Sequence, residues 1–354
     1  MGEGGKPIKV VFSDIDGTLV HYPKDFDRYA ELGEVVNGKV FIRYNETGES
    51  RECRVLESMT GGKAFISEKT IALVDQIRAE GVQFVLITGA RSSTYDNRRP
   101  NLPKVDFEVF ENGGRCIRNG VRRSSCNYNS FNLLPHALEL MICFCFFPTL
   151  LSILKEIDMQ WTKMYENVIG DSSNATTVTP QLEDASERVG PLWDLYRRLS
   201  KEGWALDARD YVTNFRVDVT KSTGKTVEDF EKIKDELKAL NLATSFNLGK
   251  ADIYPSTSGK ANAANCVLGI LELTPEDSIS MFDDDNDVEL GALTGRAFLP
   301  GLTHPSVTAA LKENPGWEVM PVEGFLGTEE ALARILRAVK SANPQPAEKV
   351  LTAV

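Results

Sequence analysis

The sequence predicts an α/β protein: a doubly wound, Rossmann-like parallel sheet with an inserted α+β cap domain. Short apolar runs alternate with amphipathic helical patterns at both ends of the chain. This alternation is typical of parallel strands covered by helices on both faces. A mixed block at about residues 115–247 interrupts the alternation and is predicted to be the second domain. With 354 residues and 42% hydrophobic content, the chain is long enough for both.

Hydrophobic periodicity predicts the elements of the core. Residues 8–13 form an apolar run typical of a buried strand. Residues 68–80 repeat apolar side chains at helical spacing and stop at Gly81. Residues 82–88 are almost continuously apolar, as expected for a strand buried on both faces. The other predicted core elements are strands at 107–110 and 279–282 and helices at 259–268 and 287–293.

Two insertions and a tail complete the predicted organisation. Residues 21–62 carry hairpin signals, including Asn37-Gly38 between β-prone runs, and are predicted to be a flap or hairpin insertion. The cap is predicted to contain a helix near 185–201, a strand at 213–220 and a helix at 227–240. The predicted domains are a core of residues 1–114 and 248–342, a cap of residues 115–247 and a loose tail of residues 343–354.

One stretch does not match the rest of the cap. Residues 121–158 are first rich in Asn and Ser and then rich in Cys and Phe. Within them, residues 137–154 are apolar except for Glu139, and their length approaches that of a membrane span. Three interpretations remain open: a transmembrane helix, which Glu139 and Pro148 disfavour, a buried cap helix, or a foreign segment such as a translated intron.

Composition excludes several classes of function. Net charge is −11 and no Lys/Arg run occurs, so we expect no nucleic-acid partner. The six Cys form no CxxC pair and are interpreted as reduced thiols. The three His lie in no metal-binding spacing, which disfavours a His-based zinc hydrolase. The N-terminus lacks the apolar core of a signal peptide, so a cytoplasmic location is expected.

Polar residues follow the predicted parallel strands. Asp14 and Asp16 come directly after the first strand, Thr88 ends the second, and Asp283 follows the last. Ligands of such sheets bind at the carboxyl ends of the strands, where these side chains converge. Two carboxylates so close repel each other, and a divalent cation would compensate them. The pattern predicts a metal-assisted site in which one carboxylate is free to act as a nucleophile.

Four motifs occur in order and together resemble one superfamily. The chain is similar to haloacid dehalogenase (HAD) superfamily phosphohydrolases. Within them it resembles the Cof-type and sucrose-phosphatase-like branch, whose cap lies between the second and third motifs. The matched core covers roughly residues 8–20, 65–115 and 245–340. The motifs are DIDGTL at 14–19, ITGAR at 87–91, SGKANA at 258–263 and FDDDND at 282–287.

The resemblance implies roles for individual residues. Asp14 would be the nucleophile that forms an aspartyl-phosphate, and Asp16 the acid/base that protonates the leaving alcohol and then activates water. Thr88, helped by the backbone of Gly89, would bind the phosphoryl oxygens, and Lys260 would neutralise their charge.

The same resemblance implies a Mg²⁺ site. Its ligands would be Asp14, the backbone carbonyl of Asp16, Asp283 and a second acidic contact from Asp287. Phe282 replaces the usual Gly before the Asp of the fourth motif, and the register could slip by one, so Asp284 remains a competing ligand. Asn286 would orient that acidic group or the phosphate.

Other charged residues near the motifs receive less specific interpretations. Arg91 either reaches phosphate or caps the strand exit. Glu111-Asn112-Gly113-Gly114 follows a predicted strand, marks the hinge into the cap and is a candidate substrate contact. Arg98 and Arg99 are interpreted as solvated surface charges.

The resemblance implies a Mg²⁺-dependent phosphatase that hydrolyses a small phosphorylated metabolite, such as a sugar phosphate, through an aspartyl-phosphate. Two alternatives remain: a phosphomutase of the same fold, similar to phosphomannomutases, and a non-catalytic regulatory or binding protein. A membrane partner is not expected. The sequence leaves the substrate and the oligomeric state open.

Overall fold

The apolar runs of the core form strands that pair side by side. The computed structural model describes residues 6–36, 39–58, 62–119, 157–247 and 250–343. In chain order the strands are β1 Val10–Ser13, β2 Ala30–Val36, β3 Lys39–Tyr44, β4 Ser50–Ser58, β5 Gly62–Ser67, β6 Gln83–Ile87, β7 Phe107–Phe110, β8 Arg115–Arg118, β9 Leu206–Asp207, β10 Phe215–Asp218, β11 Leu242–Asn247, β12 Lys250–Pro255, β13 Ser278–Met281, β14 Arg296–Leu299 and β15 Glu318–Val319.

The helices alternate with these strands, as the periodicity predicts. Within the described ranges they are α1 Pro23–Phe26, α2 Glu68–Ala79, α3 Ser92–Arg98, α4 Met159–Lys163, α5 Glu166–Ile169, α6 Pro191–Lys201, α7 Val227–Ala239, α8 Lys260–Leu271, α9 Val288–Leu293, α10 Pro305–Glu313 and α11 Gly324–Ala342. None of them combines the length and the hydropathy needed to cross a bilayer.

A seven-stranded sheet organises the described core. Its order is β15-β14-β13-β1-β6-β7-β8, with β8 antiparallel to β7 and the other neighbours parallel. β1 lies at the centre, where Val10 is in register with Gln83 of β6 and Ser278 of β13. Because these three strands run in parallel, their carboxyl ends open at the same edge of the sheet.

Both faces of the central sheet are buried. Val11 and Phe84 pack on one face against helices α2 and α11. Phe12 and Val85 point to the opposite face and join a cluster that includes α8 and the cap. This coverage explains why the central strands read as continuous apolar runs rather than as alternating ones.

The early insertion is a four-stranded antiparallel sheet in the order β2-β3-β4-β5. Its apolar face, with Ile42 and Phe65, packs against Phe325 at the start of α11. The insertion therefore extends beyond the predicted range 21–62, because β5 ends at residue 67.

The cap contains a second four-stranded antiparallel sheet, in the order β11-β12-β10-β9. Phe215 and Ile253 point from this sheet into a cluster with Trp193 of α6 and Phe230 of α7. α7 begins with a capping box in which Thr226 and Asp229 satisfy each other's backbone N–H groups. The predicted α/β core with an α+β cap is confirmed.

Two strands lie on the other side of the predicted domain boundaries. β8 belongs to the core sheet, although the cap was expected to begin at residue 115, because it returns antiparallel along β7. β12 belongs to the cap sheet, although the core was expected to resume at 248, because it pairs with β10 and β11. Residues 120–156, the Asn37-Gly38 turn and the tail from residue 344 lie outside the described residues. The interpretations of the apolar stretch therefore stay predictions.

Candidate active site

Three polar side chains meet where the central strands end. Asp14 follows β1, Thr88 follows β6, and Asp283 lies two residues beyond β13. The backbone N–H of Asp14 donates to the carbonyl oxygen of Met281 at 3.0 Å, which joins the first and last of these loops. All three side chains are buried. The structure thus brings together the strand ends that the sequence predicted to converge.

The loop after β1 holds Asp283 at close range. Thr18 Oγ1 donates to Asp283 Oδ1 at 2.5 Å. Gly17 adopts φ +84°, and a Cβ at this position would lie 2.2 Å from Asp283 Oδ2. Only glycine fits here, because it tolerates the left-handed backbone and leaves space for the carboxylate.

Lys260, the first residue of α8, crosses to the same edge. Its Nζ lies 2.7 Å from Asp14 Oδ1, 2.8 Å from Asp287 Oδ2 and 3.3 Å from Asn286 Oδ1. Burial alone would lower the pKa of this ammonium, but Asp14 and Asp287 outweigh burial and raise it. Lys260 therefore stays charged, and it contacts the predicted nucleophile directly.

Negative charge exceeds positive charge in this cluster. Burial raises the pKa of Asp14, and the Lys260 ammonium offsets part of that rise. Burial, followed by repulsion from Asp14, raises the pKa of Asp283 well above its usual range. Burial raises the pKa of Asp287 to about 8 despite the attraction of Lys260. One ammonium thus contacts two of the three buried carboxyl groups, and a further positive charge would stabilise the ionised form of all three.

The donor set fits Mg²⁺. Asp287 Oδ1 is buried and has no hydrogen-bond partner among the described residues. Asp14 and Asp283, with the backbone carbonyl of Asp16, are the groups that would hold the ion, and Asp287, whose Oδ2 pairs with Lys260, would be a second acidic contact. Across the described ranges no three or more His, Cys, Asp or Glu side chains are grouped to hold a metal by themselves. Mg²⁺ typically uses one or two protein carboxylates and keeps several waters, which agrees with this set.

The Asp283–Asp284 pair splits into two roles in the structure. Asp283 is buried against Thr18. Asp284 instead accepts a hydrogen bond from the backbone N–H of Asp285 at 2.8 Å and begins the short 3₁₀ turn Asp285–Asp287. The backbone geometry therefore favours Asp283 as the ligand.

Asp16 points to an arginine that the sequence did not connect with it. Arg98 Nη1 donates to both carboxylate oxygens of Asp16, at 2.7 and 2.8 Å, and Tyr22 OH donates to Oδ1 at 2.9 Å. The prediction that Arg98 and Arg99 are solvated is wrong. Arg98 is 3% exposed, and Arg99 Nε lies 2.6 Å from Glu108 Oε2.

The loop after β6 divides between the carboxyl edge of the central strands and the cap. Thr88 Oγ1 accepts a hydrogen bond from the backbone N–H of Ala90 at 3.1 Å, so its own O–H remains a donor. Gly89 packs so closely on Asn112 that a Cβ would lie 2.7 Å from Asn112 Oδ1. Arg91 turns to the cap, with Nη2 2.8 Å from Asp207 Oδ2 and its guanidinium 4.9 Å from the Tyr211 ring centroid.

The turn after β7 contacts the cap, but it connects β7 to β8 of the same core sheet and so is not the chain crossing that the sequence predicted. Glu111 is completely buried and accepts hydrogen bonds from the backbone N–H groups of Val212 and Thr213 at 2.9 and 2.8 Å. Glu111 and Asn112 both adopt left-handed φ, at 51° and 50°. The carbonyl of Asn112 accepts from the backbone N–H of Gly259 at 2.6 Å, which joins this turn to the segment that returns from the cap sheet to α8.

Solved structures match this architecture over nearly its whole length. A sucrose-phosphatase from Synechocystis, solved in complex with sucrose and phosphate, is 12% identical to this chain and has a TM-score of 0.54. The match covers 93% of this chain and 98% of the sucrose-phosphatase chain. A Thermoplasma acidophilum protein is 14% identical, with coverages of 95% and 99% and a TM-score of 0.50. A HAD superfamily phosphatase from Bacteroides thetaiotaomicron is 13% identical, with coverages of 96% and 98% and a TM-score of 0.46.

The chain has the haloacid dehalogenase fold. At such low identities these matches establish the fold alone. No family model matches the sequence, and no curated protein matches it. What the HAD-like core does chemically must therefore be argued from its own residues.

Sequence reasoning missed three contacts around the motifs of this HAD-like core. Arg98 and Tyr22 contact Asp16, and Asp207 pairs with Arg91. Arg98 left a weak signal, since it lies three residues after Tyr95 and so shares the buried face of α3. Asp207 left no signal, because its partner lies far away in sequence.

Proposed function

We propose that this chain is a Mg²⁺-dependent phosphatase that hydrolyses a small phosphorylated metabolite, such as a sugar phosphate. The contact of buried Lys260 with Asp14 at the carboxyl edge of the sheet is the observation that carries the proposal. An ammonium at this position serves a dianionic phosphate that approaches the nucleophile. The HAD fold supports the same conclusion, as does the Thr88 hydroxyl, which donates no hydrogen bond among the described residues.

The residues divide the reaction into two displacements. Asp14 attacks phosphorus and forms an aspartyl-phosphate, while the P–O bond to the alcohol breaks and Asp16 gives that alcohol a proton. Asp16, now a carboxylate, takes a proton from water, and the hydroxyl attacks the aspartyl-phosphate to release phosphate and restore Asp14. Lys260 and Thr88 orient the phosphoryl oxygens in both steps. A bound Mg²⁺ would neutralise phosphate charge beside Asp14 and Asp283.

Substitution of the nucleophile tests the proposal. Asp14→Asn should abolish release of phosphate from p-nitrophenyl phosphate, because an amide does not form the phosphoenzyme, while the far-UV spectrum stays unchanged. Asp171→Asn is the control, since within the described ranges Asp171 accepts hydrogen bonds from Ser173 alone, two residues away. Full activity of Asp14→Asn would overturn the assignment.

The product separates the phosphatase from the phosphomutase alternative. A phosphatase converts a sugar monophosphate to sugar and free phosphate in equal amounts. A mutase returns the phosphoryl group and yields an isomeric sugar phosphate. A screen of phosphorylated metabolites, with and without Mg²⁺, therefore measures free phosphate and looks for isomers by NMR.

A further inference from the structure

The carboxylate of Asp16 is fixed by a bonded triad of Asp16, Arg98 and Tyr22. Arg98 Nη1 contacts both Asp16 oxygens at 2.7 and 2.8 Å. Tyr22 OH donates to Asp16 Oδ1 at 2.9 Å, and Arg98 Nη2 donates to that phenol oxygen. The three side chains therefore form a closed ring of hydrogen bonds beside the nucleophile loop.

Arg98 is held more tightly than its partners. It is the last residue of α3, and its side chain is 3% exposed, whereas that of Asp16 is 36% exposed. A buried guanidinium is stable only when it is paired, so the Asp16 carboxylate is the partner that this charge requires. The guanidinium also lies 5.7 Å from the centroid of the Tyr22 ring. The buried arginine thus acts as a fixed support for a more exposed carboxylate.

Asp16 needs such a support if it serves as acid and base. A group that delivers a proton to the leaving oxygen, and later takes one from water, must present its oxygens at the same place twice. Asp16 lies in a loop, where a single hydrogen bond would leave its side chain free to rotate. Three hydrogen bonds to two rigid partners remove that freedom.

We propose that Arg98, together with Tyr22, positions the acid/base Asp16, a role that rests on the proposed phosphatase function. Arg98 does not touch the phosphoryl group in this role. Its removal therefore impairs transfer of a proton to the leaving group and leaves binding of phosphate intact. Arg99 differs, because it pairs with Glu108 at 2.6 Å, and it offers a matched control.

The test compares two leaving groups. Arg98→Met, Arg98→Lys, Tyr22→Phe and the control Arg99→Met are assayed on p-nitrophenyl phosphate, whose anion leaves without help, and on phenyl phosphate, which needs a proton. Arg98→Met should lose about tenfold more kcat/KM on phenyl phosphate than on p-nitrophenyl phosphate, since general-acid catalysis contributes a hundredfold or more. Inhibition by inorganic phosphate should not change. Arg98→Lys should show a smaller difference between the two substrates than Arg98→Met. Tyr22→Phe, like Arg98→Met, should lose more kcat/KM on phenyl phosphate than on p-nitrophenyl phosphate.

Each outcome decides the role. Equal losses on both substrates, or weaker inhibition by phosphate, would show that Arg98 acts on the phosphoryl group or on folding, and would overturn the proposal. If Arg98→Met does not fold, Tyr22→Phe carries the test, because it removes one hydroxyl and keeps the ring. If the wild-type chain hydrolyses neither ester, the phosphatase function fails and this role fails with it. If the wild type is active but the variants lose equal kcat/KM on both esters, only the proposed role of Arg98 is refuted.

Discussion

Single residues set the charge balance of the site. Lys260 is buried between Asp14 and Asp287, and its pKa is raised by both. It therefore serves two carboxylates at once, and an incoming phosphate would compete with them for the same ammonium. The motif residues could be predicted from the sequence because their spacing reflects strand ends. The bridging of Asp14 and Asp287 by one lysine could not, since it depends on how α8 approaches the sheet.

Gly17 gives a sharp prediction at this scale. Gly17→Ala should lower kcat on p-nitrophenyl phosphate by about a hundredfold or more, because the new Cβ would lie 2.2 Å from Asp283 Oδ2 and displace that carboxylate. Left-handed φ also costs alanine about 1 kcal/mol of stability.

Gly81→Ala separates the cost of the left-handed backbone from the effect of displacing Asp283. Gly81 has φ +85°, close to the +84° of Gly17, but a Cβ added to Gly81 would have no described atom within 4 Å outside its immediate chain neighbours. Both variants should lose a similar free energy of unfolding in urea from backbone strain, while only Gly17→Ala loses activity. Comparable activity in the two variants would contradict the close packing of Gly17 on Asp283.

Among the elements, α3 connects the cap to Asp16, the proposed acid/base. At its N-terminal end Arg91 binds Asp207, and Ser93 Oγ donates to Asp210 at 2.7 Å. At its C-terminal end Arg98 binds Asp16. One short helix thus contacts the cap at one end and the proposed acid/base at the other. A displacement of the cap along this helix would therefore move Arg98 and, through it, the Asp16 side chain.

Substitutions of Arg91 and Asp207 should have coupled, non-additive effects. If Arg91 holds the cap, Arg91→Met and Asp207→Asn should each raise KM for p-nitrophenyl phosphate by about threefold to tenfold, and the double variant should be no worse than either. The pair is mostly buried, with side chains 7% and 21% exposed, so loss of one partner matters.

A double-mutant cycle on kcat/KM measures this coupling. Arg209→Met is the comparison, since Arg209 also bonds Asp207 but is 79% exposed. If Arg91 instead binds phosphate, Arg91→Met would lower kcat/KM far more than Asp207→Asn, and the losses of the two single variants would add in the double variant.

Across the whole molecule, the sequence predicts the layers better than the boundaries. β1 and β6 are recognisable because burial on both faces leaves a nearly continuous apolar run. The predicted boundaries place β8 and β12 in the wrong domains, because a strand's own residues do not say which neighbour it pairs with. The prediction for Arg98 fails for the same reason: its partner is set by tertiary packing of α3, and a lone arginine in sequence usually faces water.

Metal binding at the candidate active site should stabilise the whole fold. Mg²⁺ at about a hundred times its Kd is expected to add about 2.7 kcal/mol to the free energy of unfolding, because an ion that binds only the folded state stabilises that state by mass action. Thermal unfolding with Mg²⁺ or with EDTA measures the gain. Asp283→Asn should abolish the Mg²⁺ shift and raise the Tm of the metal-free protein, since it removes one like charge. Asp284→Asn should keep the shift, because Asp284 caps its own turn. The reverse pattern would move the ligand to Asp284.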